Sequence, residues 1–257
     1  MKELDIFMVV DESGSMTSRR DWVLEAYDDF FKRHKELQVG EDEVCRVSVY
    51  FFHETIRCLY SHVLLEEAPP LDSHDYRPSG STALYDSLLV VLEDVDRTAA
   101  LRPEGKRLVV VVTDGMNTSG VARAEDLRAK LDNVNVPVEM VYMGSNQDAI
   151  LQGERVGSGR GSSLQYEDDH FLDAMFSMTS AVARMRSGET QTVEFTHVER
   201  SRSAGTEQDG GSSLDPWDPW ESRINIGMVM PPPPTLSRHQ TMSSELRSNS
   251  GDTVDIL

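Results

Sequence analysis

The sequence predicts an α/β domain, doubly wound and Rossmann-like, with a mostly parallel six-stranded sheet that has one antiparallel edge strand, followed by a disordered C-terminal tail. Three observations predict it. Strand-like apolar segments alternate with segments of helical period from about residue 4 to residue 186. Several of the strand segments are apolar without alternation, as in strands covered on both faces. Near residue 190 the composition turns to Pro, Ser and Gly and the apolar period stops.

The elements follow in order. Residues 4–10 read as a buried strand. Residues 21–38 carry Trp22, Ala26, Phe30 and Val23, Tyr27, Phe31 on adjoining i, i+4 rows, the stripe of an amphipathic helix. Residues 43–52 and 55–60 are rich in β-formers and separated by His53-Glu54, so a hairpin supplies the antiparallel edge strand. Leu84, Leu88, Val91, Leu92 and Val95 mark a second long helix, ended around Pro103 and Gly105. A strand at 108–113, a helix at 124–131, a strand at 138–144, a helix at 148–156 and a short strand at 164–166 come next. Phe171, Met175, Met178, Val182 and Met185 then give a last helix. Pairing Phe52 with Thr55 sets Cys45 opposite His62 and Cys58 opposite Val49, so the two thiols are expected to stay free, in the core, in a reducing compartment.

The expected domain is 1–190 and the expected tail 191–257. Residues 196–257 hold six of the eleven Pro, ten Ser, five Gly and no aromatics but Trp217 and Trp220, too little to bury against the entropy of ordering. The repeated Asp-Pro-Trp of 215–220 could anchor in a partner's pocket, and the carboxylates of Asp252, Asp255 or Leu257 could fold back as internal competitors.

Net charge is −19, of which −4 falls on 196–257 and −15 on the rest. That balance argues against nucleic acid and against an anionic membrane surface, both of which are held by Lys and Arg. The longest apolar runs, 6–10 and 108–112, are far too short to span a bilayer, and the acidic N-terminus is unlike a signal peptide. A cytoplasmic protein is expected.

Ligands of open α/β sheets sit beyond the carboxyl ends of the strands. The first strand ends in Asp11-Glu12-Ser13-Gly14-Ser15, the fourth in Thr113-Asp114-Gly115, and Pro78-Ser79-Gly80-Ser81-Thr82 precedes the second long helix. Two carboxylates and three hydroxyls make an all-oxygen set suited to a hard divalent cation. Gly14 and Gly80 permit tight turns, and Gly115 keeps a side chain out.

Asp11-x-Ser13-x-Ser15, Thr82 and Asp114, in this order on these loops, resemble the metal-ion-dependent adhesion site (MIDAS) of the von Willebrand factor type A (vWA) domain. Residues 142–149 also resemble a segment of stand-alone bacterial and phage members. The resemblance implies that Ser13, Ser15 and Thr82 contact Mg²⁺ or Mn²⁺ while Asp11 and Asp114 act mainly through water. It further implies a protein-binding module, not an enzyme, in which a partner's Asp or Glu carboxylate completes the coordination. Glu12, Glu54 and 167–169 are expected on the same rim, so basic residues beside that carboxylate would suit it. Two alternatives stand. Some intracellular relatives are adaptors for a hexameric AAA+ ATPase. A metal-dependent hydrolase is the other, but no base is placed for Ser13 by the sequence, His53 and His74 read as loop residues, and no P-loop motif occurs.

Overall fold

In the computed structural model, which describes residues 2–37, 43–134, 136–145 and 149–206, the strand and helix order follows the hydrophobic periods. The elements are β1 (Lys2–Asp11), α1 (Arg20–Glu36), β2 (Glu43–Phe52), β3 (Ile56–Leu64), α2 (Leu84–Leu101), β4 (Lys106–Thr113), α3 (Ala124–Asn133), β5 (Val138–Ser145), α4 (Ala149–Arg155), β6 (Ser163–Tyr166), α5 (Phe171–Ser187) and α6 (His197–Ser203). The sheet runs β3-β2-β1-β4-β5-β6. All neighbours are parallel except β2 and β3.

The two-residue period of β1 divides the core. Leu4, Ile6, Met8 and Val10 join α1 and α5 on one face, while Phe7 and Val9 join α2, α3 and α4 on the other. Each fully buried Val, Leu or Phe contributes about 1.5–3 kcal/mol. The unbroken apolar character of Val109–Val112 follows from their place in β4, a central strand with a helical layer on both sides. Because β1 feeds α1 toward β2 and α2 returns across the opposite face to β4, the connections diverge between the carboxyl ends of β1 and β4. That divergence opens the crevice in which a site can form.

Within the fold, the structure corrects the sequence reading of the hairpin and of the segment after residue 190. The hairpin turns on three residues, not two: Phe52 faces Ile56 and Cys58 faces Tyr50. Register irregularities between Val47 and Tyr50 put His62 opposite the bulge at φ 55°. Both cysteines are free, but only Cys45 is in the core, where burial pushes its thiol up to about 12; Cys58 is exposed on the edge strand.

The second correction concerns the expected tail. Residues 191–206 pack back on the domain, with Val193 and Phe195 buried and α6 capped by Thr196. Arg184 pairs with Glu199 through two 2.8 Å bonds, and Arg200 donates to the carbonyls of Ser163, Arg160 and Gly161. A seven-residue helix with one short apolar cluster has too little period to register in sequence. Trp217, Trp220 and the acids proposed as competitors lie outside the described residues, as do Asn146, Gln147 and Asp148. No helix among the described residues is long and apolar enough to cross a membrane.

His34, at the end of α1, is buried against Phe30, and Arg186 donates to its carbonyl at 2.9 Å and contacts Nδ1 at 3.1 Å. Burial first, then the Arg186 and Arg33 charges, hold its imidazole well below the ordinary 6.5. The unfolded chain therefore takes the proton first, so stability is full above pH 6.5 and falls as the pH drops below it. Urea unfolding of the wild type is expected to weaken by up to ~1.4 kcal/mol per pH unit below that point. His34→Gln should lack this component; an equal slope in the variant would rule it out.

Candidate functional site

Asp11 closes β1 with no solvent exposure. Its Oδ1 accepts the Ser13 amide at 2.7 Å and its Oδ2 accepts the Thr113 hydroxyl at 2.6 Å. Tyr76 donates to the Asp11 carbonyl at 2.5 Å, and Tyr166 to that of Thr113 at 2.9 Å. Burial is the main cause that raises the Asp11 carboxyl above its ordinary 3.8; the Thr113 and Ser13 bonds oppose it, and the nearby Asp114 charge adds to it.

Ser13 stands at the N-cap of the 3-10 turn Gly14–Arg19 yet its side chain caps nothing. Its hydroxyl lies 3.1 Å from that of Ser15, which donates to Asp114 Oδ1 at 2.7 Å. The serines are thus turned toward the acids, against the capping role such residues usually fill. Gly14 donates to the Gly80 carbonyl at 3.0 Å, and a Cβ on Gly14 would come within 3.3 Å of that oxygen. This contact joins the β1 loop to the turn ahead of α2, where Gly80 has φ 71°. Thr82 follows, buried; its amide donates to the Thr118 hydroxyl at 3.0 Å, and its carbonyl accepts the amides of Thr118 and Ser119. Gly115 leaves room beside it: a Cβ there would sit 3.8 Å from Thr82 Oγ1. Asp11, Ser13, Ser15 and Asp114 are thus joined by hydrogen bonds at the diverging ends of β1 and β4, while Thr82 stands on the turn ahead of α2 with Oγ1 toward Gly115.

The donor set fits a small divalent cation. Mg²⁺ binds oxygens at about 2.0–2.1 Å in an octahedron, whose edge is then about 3.0 Å. The Ser13 and Ser15 oxygens are 3.1 Å apart. Among the described residues no group of three or more His, Cys, Asp or Glu could hold a metal, so any cation here would rely on hydroxyls as well as the two carboxylates.

The rim differs from the sequence reading. Glu12 does not face solvent: it is buried and bidentate with Arg57, at 3.0 and 2.8 Å, and also accepts the Arg77 amide. It clamps the 75–80 loop to β1. Asp168 bonds Arg19 and accepts the Ser145 hydroxyl at 2.6 Å. Glu54, Glu167 and Asp169 remain exposed. His53 accepts the Glu54 amide at 2.6 Å, and the exposed His74 pairs with Asp72, so both serve their own loops.

Sequence reasoning missed Arg19. It is buried, and Nη1 meets Asp114 Oδ2 at 2.6 Å. The available signal was Arg19-Arg20 at the start of a helix, where the macrodipole disfavours cations unless acids offset them.

The sequence model of the von Willebrand factor type A domain matches residues 5–171. The chain belongs to this family. vWA domains are a non-catalytic protein-interaction fold. Solved structures similar to this vWA chain include the ArnB paralog VWA2 of Sulfolobus acidocaldarius, 16% identical with a TM-score of 0.48, covering 73% of this chain and 46% of that one. A von Willebrand factor type A structure from Catenulispora acidiphila is 16% identical with a TM-score of 0.49, covering 71% and 43%. Proximal thread matrix protein 1 of the mussel byssus, described with a zinc-occupied MIDAS motif, is 16% identical with a TM-score of 0.46, covering 71% and 46%. The vWA chain thus spans less than half the length of these structures. No curated protein matches it.

Proposed function

We propose that this vWA domain is a divalent-cation-dependent protein-binding module, in which Ser13, Ser15 and Thr82 contact Mg²⁺ or Mn²⁺ and Asp11 and Asp114 hold its waters. The observation that carries the reading is the Asp11, Ser13, Ser15, Asp114 hydrogen-bonded cluster, whose serine hydroxyls serve no helix cap. Bound there, the cation supplies an electrophile with an open position for a partner's Asp or Glu carboxylate. Asp11 and Thr113 fix the end of β1 against β4, and Thr118 holds the Thr82 backbone, which supports a site organised before the partner arrives.

The surface supports a protein partner. Met116, two residues beyond Asp114, is 56% exposed and offers apolar contact. Exposed Glu54, Glu167 and Asp169 favour basic residues flanking the partner's carboxylate, whereas Glu12, already neutralised by Arg57, adds no field of its own. The free Cys45 and Cys58 are in keeping with a reducing, cytoplasmic setting.

A pull-down in Mg²⁺ against EDTA, with wild type and Asp11→Ala, tests the reading. Partner capture is expected only for the wild type in Mg²⁺. Equal capture after chelation, or by the variant, would sink it.

A further inference from the structure

The buried cation at this site is the chain's own. Arg19 has a side chain 7% exposed, joined at 2.6 Å to Asp114, which is 4% exposed. Its other Nη bonds Asp168, whose side chain is 56% exposed, and Nη1 also reaches the Ser15 carbonyl at 3.4 Å. Asp114 therefore shares its two oxygens between Ser15 on Oδ1 and Arg19 on Oδ2. A guanidinium cannot be deprotonated in a protein, so a fixed positive charge stands beside the oxygens that would hold the waters of a metal ion.

We infer that Arg19 is a positioning residue that sets the site's affinity for a divalent cation, and that Asp168 tunes it by neutralising Arg19. The inference rests on the metal-binding reading above. Arg19 orients Asp114 and makes the paired acids tolerable without a metal, and the same charge repels an arriving cation. Asp168 offsets that repulsion from the exposed side, at the start of the 3-10 turn Asp168–His170 that leads into α5. The adjoining Glu167 amide donates to the Ser203 carbonyl at 3.0 Å, so α6 holds the loop that carries Asp168 in place. The site is thereby built for reversible occupancy.

The two halves of the Arg19–Asp168 pair should act in opposite directions. If the pair were only structural, breaking it from either side would loosen the site alike. Calorimetric titration with MgCl₂ and with MnCl₂, at fixed ionic strength, separates the cases. Arg19→Gln is expected to bind about tenfold more tightly than wild type, since one unit of repulsion at close range is removed. Asp168→Asn is expected to bind roughly threefold to tenfold more weakly. Should Arg19→Gln not fold, Asp168→Lys on the exposed side must weaken binding beyond Asp168→Asn. Parallel shifts in the Arg19 and Asp168 variants, or unchanged affinity in the Asp168 variants, overturn the inference while wild-type binding that is lost in Asp11→Ala upholds the metal site. A wild type that takes up neither metal overturns the metal reading and this inference together.

Discussion

Asp11→Asn is expected to raise the melting temperature of the metal-free domain while removing its response to Mg²⁺. The Asp11 carboxylate is fully enclosed, and burial makes its charged form the costly one. An Asn keeps the shape: its carbonyl can take the Ser13 amide, and its NH₂ can donate to the Thr113 hydroxyl. That hydroxyl already lies 3.1 Å from the Gly115 carbonyl and can turn to it. Relief of the buried charge should stabilise by about 1 kcal/mol, or roughly 2–4 °C for a domain of this size. Loss of the anion should in turn lower Mg²⁺ affinity about 100-fold or more, because a hard cation has few other anionic ligands here. Differential scanning fluorimetry with and without Mg²⁺ reads both effects. A lower melting temperature in EDTA, or a Mg²⁺ shift equal to that of the wild type, would contradict the assignment of Asp11 as the buried acid of a metal site.

Ending the chain at residue 190 is expected to cost about 3–5 kcal/mol relative to ending it at 206. The shorter chain loses Val193, 1% exposed, and Phe195, 7% exposed, each with about 1.5–3 kcal/mol of burial. It also strands Arg184, which faces Glu199 and the Glu194 carbonyl, and removes Arg200 from the carbonyls of Ser163 and Gly161. The edge strand β6 then loses α6 beside it and becomes a template for aggregation. Urea midpoints of the two truncations compare them directly. Equal midpoints would restore the boundary near 190 that composition suggests.

The loops that carry the candidate residues were more legible than the packing of residues 191–206, for a physical reason. Asp11, Ser13 and Ser15 belong to one turn, and Asp114 ends a strand whose apolar run is plain, so local pattern placed them. Thr82 could be placed because the turn before α2 must end at the same sheet edge. The 191–206 segment has no such pattern: its burial comes from two apolar side chains and from Arg184 and Arg200, which reach it from or toward distant residues. The Cys58 register was misplaced for a related reason, since a three-residue turn and a bulge shift the pairing without changing the β character of either strand.

By itself, the sequence determined the alternation of strands and helices and the buried central strands, because these rest on periods of two and 3.6 residues. Tertiary structure alone decided which acids remain charges on the rim. Glu12 and Asp168 look equivalent in sequence to Glu54 and Glu167, yet Arg57 and Arg19, distant in the chain, neutralise the first two and not the others. Ion pairs across 45 and 149 residues of chain carry no local period, so only the folded sheet edge brings them together.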